Sequence, residues 1–208
     1  GQTYPAPLQP SLLWCGWWLS LKIDPPPDPR LVHPAGVRVL DRQGRLLRGF
    51  LSPDHKRRWF LELDEISPEL INAVLLHEDR WFYRHGGINP VSVLRAAWGN
   101  LSAGRVTSGA STITMQLARL TEPRHRNLGA KISQAWRALQ YESLYSKDEI
   151  LTMYLNLAPY GGNVEGVGAA AQVFYDKPAA ELSWSEACQL AVLPQSPNRH
   201  DPLRQPDS

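Results

Sequence analysis

The chain has 208 residues, with 22 lysines and arginines against 20 aspartates and glutamates, a formal net charge of +2. Charged residues make up 20% and apolar residues 43%, which excludes a disordered tail or a fibrous repeat. The near-neutral charge gives no indication of nucleic-acid binding, and two cysteines exclude a disulfide scaffold. The length fits one domain of about 150 residues with an appendage, large enough to bury a hydrophobic core.

The two ends of the chain differ in composition from its middle. Of the 18 prolines, 12 lie within residues 1–34 or 194–208, so we expect extended or irregular ends. Residues 11–21, SLLWCGWWLSL, are apolar and carry three tryptophans, which is typical of a membrane interface. A run of about ten residues is too short to cross a bilayer, which takes ~20. A membrane-proximal anchor segment and a segment docked on the body both remain open.

We therefore divide the chain into a Pro/Trp-rich, membrane-proximal segment over 1–34, a domain over 35–200 and a tail over 201–208. The domain begins with residues 37–50, which predict a small β-hairpin with its turn at Asp41–Gly44. The stretch from Val37 to Trp59 has a local charge of +5. Such a charge is typical of a solvated face or of a surface near anionic lipid.

A helical body is predicted over residues 67–195. Ser67–Pro68 and Asn89–Pro90 each combine an N-cap with a first-turn proline, and Ser146–Glu149 and Ser183–Glu186 are capping boxes. The fold class is therefore mainly α, with a small N-terminal β-hairpin. Further helices are predicted over about 111–120, 128–145 and 165–175, with a glycine turn at 161–162.

Two of these helices carry clear apolar stripes. Val93, Leu94 and Trp98, with Ala97 and Leu101, form the stripe of the helix that follows Pro90. Residues 128–145 place Ile132, Trp136 and Leu139 on one face, with Lys131, Gln134, Arg137 and Glu142 as polar positions. By itself this second pattern indicates an ordinary amphipathic helix.

Glu78 is the first candidate catalytic residue. It ends a predicted helix in the run HEDRWFYRHGG over 77–87, beside Asp79 and before Phe82 and His85. A carboxylate among apolar and aromatic neighbours suits general acid–base catalysis. A solvated helix end with a salt bridge is the alternative. A metal site is disfavoured, because the histidines of this run lack the i, i+4 spacing of helical ligands.

A second candidate site lies in SGASTITMQLARL over 108–120. Gly109, Ser111, Thr112 and Thr114 precede helix-forming residues, and the free N–H groups and dipole of a helix N-terminus favour phosphate. Residues 119–131 add a net charge of +3. This combination indicates a site for a diphosphate-sized anion. A plain N-capped helix is the alternative. Further along, Asn156 and Glu165 are candidates for lining a site.

Taken in order, these runs resemble the peptidoglycan glycosyltransferase domain, glycosyltransferase family 51, of class A penicillin-binding proteins. The likeness covers residues 37–199, and the runs over 136–140 and 190–199 are most like the 1C subtype. The matching motifs are Glu78-Asp79-x-x-Phe82-x-x-His85-x-Gly87, then Gly109-x-Ser111-Thr112-Ile113-Thr114-x-Gln116, then Tyr145 to Asn156 with the glycine-rich stretch after it.

The resemblance implies a lysozyme-like helical fold on an N-terminal membrane anchor, at the periplasmic face of the cytoplasmic membrane. It implies that lipid II is polymerised into glycan strands by inverting transfer, with release of undecaprenyl diphosphate. Glu78 is then the general base. The implied substrate-binding residues are Asp79, Phe82, His85, Gly109, Ser111, Thr112, Thr114, Gln116, Arg119, Lys131 and Asn156.

The resemblance also implies partners. These are lipid II, the growing glycan strand, the membrane surface and other cell-wall synthesis proteins, and not nucleic acid. No cofactor is required, although a divalent cation, Mg²⁺ or Mn²⁺, can assist at the diphosphate in the family. The sequence shows no ligand set for that cation, so no metal site is assigned.

One departure from the family bears on the mechanism. The third motif of the family reads Arg-Lys-x-x-Glu, whereas this chain has Ala130-Lys131-Ile-Ser-Gln134. A glutamine donates hydrogen bonds but does not shuttle a proton, so a mechanism with two carboxylates is in question. Gln134 therefore stands as a doubtful catalytic residue, and Glu142, about two helical turns on, is the candidate stand-in. The sequence has no Ser-x-x-Lys motif, so no transpeptidase domain is expected.

Two other functions remain open from the residues. One is a lysozyme-like lytic hydrolase that uses Glu78 as its acid, and it requires a second carboxylate facing Glu78. The other is a non-catalytic scaffold that binds a lipid-linked precursor or partner proteins, and Gln134 is the feature that favours it.

Overall fold

The structure is a computed structural model that describes residues 24–103, 111–125 and 127–195. The Trp-rich run over 11–21, Gly109 and the tail over 201–208 lie outside these residues. The described part is mainly helical with two small antiparallel hairpins, which confirms the predicted fold class. Its α-helices are α1 (Pro29–Val32), α2 (Pro68–Glu78), α3 (Pro90–Ala103), α4 (Ile113–Thr121), α5 (Leu128–Leu144), α6 (Lys147–Leu157), α7 (Val167–Tyr175) and α8 (Trp184–Val192).

The predicted N-terminal hairpin is present. Strand β1 (Arg38–Leu40) pairs antiparallel with β2 (Leu46–Gly49). The Asp41 carboxylate accepts hydrogen bonds from the backbone N–H groups of Gln43 and Arg45 at 2.9 and 2.8 Å, which closes the turn. Gly44 has a φ of +79°, a conformation that glycine adopts without strain.

The structure contains a second hairpin, of which the sequence predicted only the glycine turn. Strand β3 (Pro159–Gly161) pairs with β4 (Val164–Glu165), and Gly161 and Gly162 both have positive φ. Arg57 extends this pair, since its N–H donates to Asn163 O at 2.8 Å and its carbonyl accepts from Glu165 N–H at 3.0 Å. The corner between α6 and α7 is thereby joined to the segment that follows the first hairpin.

The predicted N-caps form as the sequence indicates. The Ser67 hydroxyl accepts from Leu70 N–H, the Asn89 side chain accepts from Ser92 N–H, and both capping boxes are present, at Ser146 and Ser183. These caps begin α2, α3, α6 and α8. Four-residue α1 lies in the proline-rich segment and was not predicted.

Helix α6 is the centre of the core. Its side chains from Ile150 to Leu157 are buried, apart from the half-buried Thr152. Helices α4 and α7 pack on it, α4 also packs on α5, and α2 packs on α8. None of the helices in the described ranges is both long and apolar enough to cross a membrane.

The apolar stripes of α3 and α5 face outward rather than into this core. On α3, Ala96 is buried, while Val93, Leu94 and Trp98 are exposed, with Trp98 at 76%. On α5, Ile132 is likewise exposed. The side chains of Ala97 and Leu101 are not among those described.

Arg137 explains why α5 turns a polar face inward. Its guanidinium is buried and donates to both carboxylate oxygens of Glu122, at 3.0 and 3.1 Å, and to Gln140 Oε1 at 2.8 Å. It also reaches the backbone and side chain of Asp24, each at 2.9 Å. A buried charge is tolerated when it is paired in this way. The network joins α5 to the loop after α4 and to the N-terminal segment.

A second buried arginine, Arg58, anchors the segment after the first hairpin. It is fully buried and donates to Asp54 Oδ2 at 2.9 Å, to Glu165 Oε2 at 3.1 Å and to Pro34 O at 2.7 Å. Burial by itself would raise the pKa of Asp54, but hydrogen bonds from Arg58 and Ser52 lower it to about 2. Arg58 therefore connects three separate segments of the chain through charged hydrogen bonds.

We predict that Arg58→Leu lowers the free energy of unfolding by about 3 kcal/mol, because it leaves a partly buried Glu165 without its main partner. The change is at the lower end for a broken buried pair, since Lys56 still contacts Glu165 at 2.9 Å. Urea denaturation measures it. The matched control is Arg57→Leu, whose exposed side chain predicts a change within about 0.5 kcal/mol. Equal effects of the two substitutions would contradict the prediction.

Candidate active site

Glu78 is the last residue of α2 and faces α4. Its Oε2 accepts a hydrogen bond of 2.6 Å from Gln116 Nε2. Its Oε1 is buried and has no hydrogen-bond partner among the described residues. A half-buried carboxylate held on one side by an amide N–H is fixed in position while keeping one oxygen uncommitted. This geometry suits a general base.

Asp79 connects the segment after Glu78 to the start of α4. Its two carboxylate oxygens lie 3.0 and 2.9 Å from His85 Nε2, and Oδ2 also accepts from Ile113 N–H at 3.2 Å. Both side chains are buried, and Phe82 packs against His85 edge to face. A carboxylate at a helix N-terminus is electrostatically favourable. The resemblance implies that Asp79, Phe82 and His85 bind substrate. In the structure these three side chains contact one another or the start of α4, and so hold the segment that follows Glu78 in place.

Thr112 and Gly87 hold the segment that follows Glu78 between α4 and α5. The Thr112 hydroxyl caps α4 by accepting from Met115 N–H at 3.2 Å, and it donates to Gly87 O at 2.6 Å. Gly87 has a φ of +85°, and an added Cβ would lie 3.0 Å from the backbone of Ala138. Only glycine fits this contact between the segment and α5 without displacement.

Two of the N–H groups at the N-terminus of α4 are already bonded to protein groups. The N–H of Ile113 bonds to Asp79, and that of Met115 bonds to Thr112. We expected backbone N–H groups at this position to bind an anion. Those two groups are committed within the protein, and the side chains beside the helix offer a further means of binding an anion.

Lys131 and Arg119 supply those side chains. Lys131 Nζ donates to the Ser111 hydroxyl. Burial lowers the pKa of the Lys131 ammonium, and the nearby positive charge of Arg119 lowers it further. In the described part of the chain neither cation forms an ion pair with a carboxylate. Two neighbouring cations beside a hydroxyl, with no carboxylate partner among the described residues, suit the binding of a multiply charged anion.

Gln134 lies one turn after Lys131 on α5 and is half-buried. Glu142 lies roughly 12 Å further along the helix axis. Its carboxylate accepts from Thr114 Oγ1 at 2.6 Å and pairs with Lys147 at 2.7 Å. Lys147 in turn donates to His85 O at 2.6 Å. Glu142 and Thr114 thus join α4, α5 and α6, and the structure gives Glu142 no place as a stand-in for a second catalytic carboxylate.

Asn156 has its polar atoms committed to the scaffold. Its Oδ1 accepts from Leu61 N–H at 2.9 Å, and its Nδ2 donates to Leu61 O and Thr152 O at 2.8 and 2.9 Å. The side chain is buried. These contacts give no support to the expectation that Asn156 binds substrate. Glu165, the other lining candidate, belongs to the Arg58 network.

Two tyrosines near Glu78 were not found from the sequence. Tyr154 and Tyr160 are both buried, and burial raises the pKa of each phenol, with the negative charge of Glu78 raising it further. In a sequence such residues look like ordinary core aromatics. The signal that could have found them is the polar hydroxyl that each carries into an apolar helix-and-turn segment.

No group of three or more His, Cys, Asp or Glu side chains within the described ranges is arranged to hold a metal ion.

Comparison with known proteins places this site in a family. The family model described as Transglycosylase matches residues 43–208. Penicillin-binding protein 1C of Escherichia coli (strain K12) is 48% identical over 198 residues, which is 95% of this chain and 26% of that protein. Penicillin-binding protein 1A of Aquifex aeolicus (strain VF5) is 40% identical over 87% of this chain and 25% of its own length.

The chain belongs to the transglycosylase family. It is a peptidoglycan glycosyltransferase domain of the kind found in class A penicillin-binding proteins, and hence an enzyme. Penicillin-binding protein 1A of Escherichia coli (strain K12) is similar as well, at 40% identity over 85% of this chain and 20% of that protein. The chain spans about a quarter or less of the length of these relatives.

We predict that Gly87→Ala lowers the free energy of unfolding by about 1–2 kcal/mol, because alanine is strained at positive φ. Contact with the Ala138 backbone adds to the strain. Chemical denaturation checks this. The neighbouring Gly86 is the matched control, because an added Cβ there meets no atom within 4 Å. Gly86→Ala leaves stability unchanged or raises it by up to ~1 kcal/mol. A Gly87→Ala protein as stable as the parent would show that the segment does not depend on this contact.

Proposed function

We propose that this domain polymerises lipid II into peptidoglycan glycan strands by inverting glycosyl transfer, with Glu78 as the general base and undecaprenyl diphosphate as the leaving group. The observation that carries the proposal is a carboxylate, Glu78, held by Gln116 of α4, together with two neighbouring cations, Arg119 of α4 and Lys131 of α5, that have no ion-pair partner in the described part of the chain. Membership of the transglycosylase family supports the reaction class.

Helix α4 supplies the geometry for both halves of the reaction. Gln116 contacts Glu78, and Arg119, three residues on, lies on the same side of the helix. Ser111, just before the helix, contacts Lys131 on α5. The proposed base and the proposed anion site therefore both lie beside α4, as a transfer between a sugar hydroxyl and a diphosphate donor requires.

The proposed reaction forms one bond to the anomeric carbon of the donor and breaks another. The carboxylate of Glu78 takes the proton of the 4-hydroxyl of the acceptor sugar, and the hydroxyl oxygen forms a bond to the anomeric carbon of the donor. The bond from that carbon to the diphosphate breaks on the opposite face, which inverts the configuration. Negative charge grows on the departing diphosphate, where Lys131, Arg119 and the Ser111 hydroxyl stabilise it.

A single carboxylate suffices in this scheme. The family position of the second glutamate carries Gln134, and Glu142 is neutralised by Lys147. A lytic hydrolase uses two carboxylates that flank the bond. In the described residues the neighbour that contacts Glu78 is an amide, so the geometry favours transfer over hydrolysis.

Among the described residues, the side chains at this site do not form a ligand set for a divalent cation. Asp79, the acidic side chain next to Glu78 in the sequence, is committed to His85 and to the backbone of Ile113. The side chains at the anion site are cationic or neutral. They do not fit a metal held by this chain, and the proposed reaction includes no step through one.

We also propose that the domain lies against a membrane, at the periplasmic face of the cytoplasmic membrane, with lipid II and the growing strand as its partners. The exposed apolar side chains of Leu94 and Trp98 on α3 and of Leu128 and Ile132 on α5 support this. Exposed apolar area of this kind marks an interaction surface, and a lipid-linked substrate calls for one near lipid. Contact with other cell-wall synthesis proteins stays a prediction.

We predict that the purified chain converts labelled lipid II into glycan polymer in detergent and that Glu78→Gln abolishes this, because an amide takes no proton. Gel separation of the labelled glycan measures it. Gln134→Glu is expected to retain the activity of the parent within about tenfold, since the scheme needs one base.

Glu181→Gln is the matched control, because Glu181 is exposed in a short turn between α7 and α8. It should polymerise like the parent. Polymer from Glu78→Gln at the parental rate would refute Glu78 as the base. Activity in Gln134→Glu alone would show that the second carboxylate is required. Shortened glycan from a polymer substrate would identify a hydrolase instead.

We predict that Leu94→Ser combined with Trp98→Ser lowers partitioning onto phospholipid vesicles by roughly tenfold or more. The two substitutions remove exposed apolar side chains that the proposed contact would bury in the bilayer. Co-sedimentation with vesicles of mixed anionic and zwitterionic lipid measures it. Trp184→Ser, at an exposed tryptophan of α8, is the control and should change partitioning little. Equal losses in both proteins would show that α3 does not provide the membrane-facing surface.

A further inference from the structure

We propose that Tyr154 is a positioning residue for Glu78 and acts through the side-chain amide of Gln116. The inference rests on the proposed function, because it assigns Glu78 as the base. The geometry is a chain of three side chains on three elements. Tyr154, on α6, places its hydroxyl 3.4 Å from Gln116 Oε1, and Gln116, on α4, donates from Nε2 to Glu78 Oε2 at 2.6 Å.

The two ends of a glutamine amide have nearly the same shape and opposite hydrogen-bonding character. A carboxylate only accepts hydrogen bonds, so Gln116 supports Glu78 when its NH₂ group faces the carboxylate. With the amide turned round, its carbonyl oxygen would stand against a carboxylate oxygen at a distance where the two repel. The orientation of this one amide therefore decides whether Glu78 is stabilised or repelled.

The Tyr154 hydroxyl selects the supporting orientation. It donates to the carbonyl oxygen of Gln116, which leaves the NH₂ group directed at Glu78. Burial raises the pKa of the Tyr154 phenol well above its usual value, and the charge of Glu78 raises it further, so the hydroxyl keeps its proton at working pH. Tyr154 and Gln116 are both buried, which limits competition from water for these bonds.

Few other charged or titratable groups among the described residues lie near Tyr154, Gln116 and Glu78. The charge of Glu78 raises the pKa of Tyr160, on β3, after the larger effect of burial. The positive charge of Arg119, on α4, acts in the opposite direction on Tyr154 and lowers the pKa of its phenol, by less than burial and Glu78 raise it. Asp79, next to Glu78, is bonded to His85 and the start of α4. The Tyr160 hydroxyl has no hydrogen-bond partner among these groups, so it does not orient the amide.

Tyr160 supplies a matched comparison. Tyr154→Phe and Tyr160→Phe each remove one buried hydroxyl near Glu78, yet only the first hydroxyl contacts Gln116. We expect Tyr154→Phe to lower kcat about 3- to 10-fold with little change in KM, the range that one hydrogen bond accounts for. The acid limb of its pH–rate profile should move to higher pH by about half a unit, because the carboxylate loses stabilisation of its charged form. Tyr160→Phe should change neither.

A double-mutant cycle with Gln116→Met tests the route of the effect. If Tyr154 acts through Gln116, Tyr154→Phe has no further effect on kcat or on the pH profile once Gln116 is methionine. An undiminished effect in that background would overturn the proposal. So would a Tyr154→Phe enzyme with parental kinetics, or equal losses from the two phenylalanine variants.

A second measurement does not depend on activity. With ¹³C-labelled glutamate in the whole chain, the Glu78 carboxyl resonance is assigned by its absence in Glu78→Gln and titrated by NMR. Its titration midpoint should rise in Tyr154→Phe and stay in place in Tyr160→Phe, while thermal unfolding confirms that both variants are folded. If the parent fails to polymerise lipid II but the midpoint moves as expected, the proposed function fails and the positioning role stands. An unmoved midpoint removes the positioning role whatever the activity.

Discussion

The carboxylate of Asp79 is the contact on which the site depends. It bonds at once to His85 and to the first N–H of α4, so the segment that follows Glu78 and the helix that carries Gln116 and Arg119 are fixed to each other. A buried carboxylate with two donors is stable where one without them would be costly. Thr112 and Gly87 add a neutral version of the same connection on the other side of the segment. These hydrogen bonds set the spacing between the proposed base and the proposed anion site.

In this domain two charged side chains are buried and several large apolar side chains are exposed, which is the reverse of the usual distribution. Arg58 and Arg137 are buried and paired, while Leu94, Trp98 and Ile132 are exposed. The buried arginines replace apolar packing by charged hydrogen bonds that hold distant segments together. That arrangement leaves the apolar stripes of α3 and α5 available for a partner outside the core. A lipid-linked substrate is the kind of partner whose recognition benefits from such a surface.

In the proposed reaction one carboxylate serves where two are common. Glu142 is charged and close to α4, but Lys147 and Thr114 commit it to the junction of three helices. Gln134 cannot take a proton. The proposed reaction therefore assigns stabilisation of the donor diphosphate to Lys131 and Arg119, whose positive charges have no carboxylate partner in the described ranges. Stabilising a diphosphate as it leaves is electrostatic in nature, and fixed cations do it without a proton.

Local chemistry in the sequence was sufficient for most of the helices and for naming Glu78 as the candidate base. Ser67, Asn89, Ser146 and Ser183 begin their helices as predicted, because a capping side chain acts within three residues of itself. The spacing of residues around Glu78 likewise sufficed to identify the motif that contains it. The tertiary structure alone decided which side chains bind one another across the fold: that Asp79 and Thr112 occupy the start of α4, that Asn156 bonds to Leu61, and that Tyr154 reaches Gln116. These contacts join residues far apart in the chain, and their partners are set by packing, which no local pattern records.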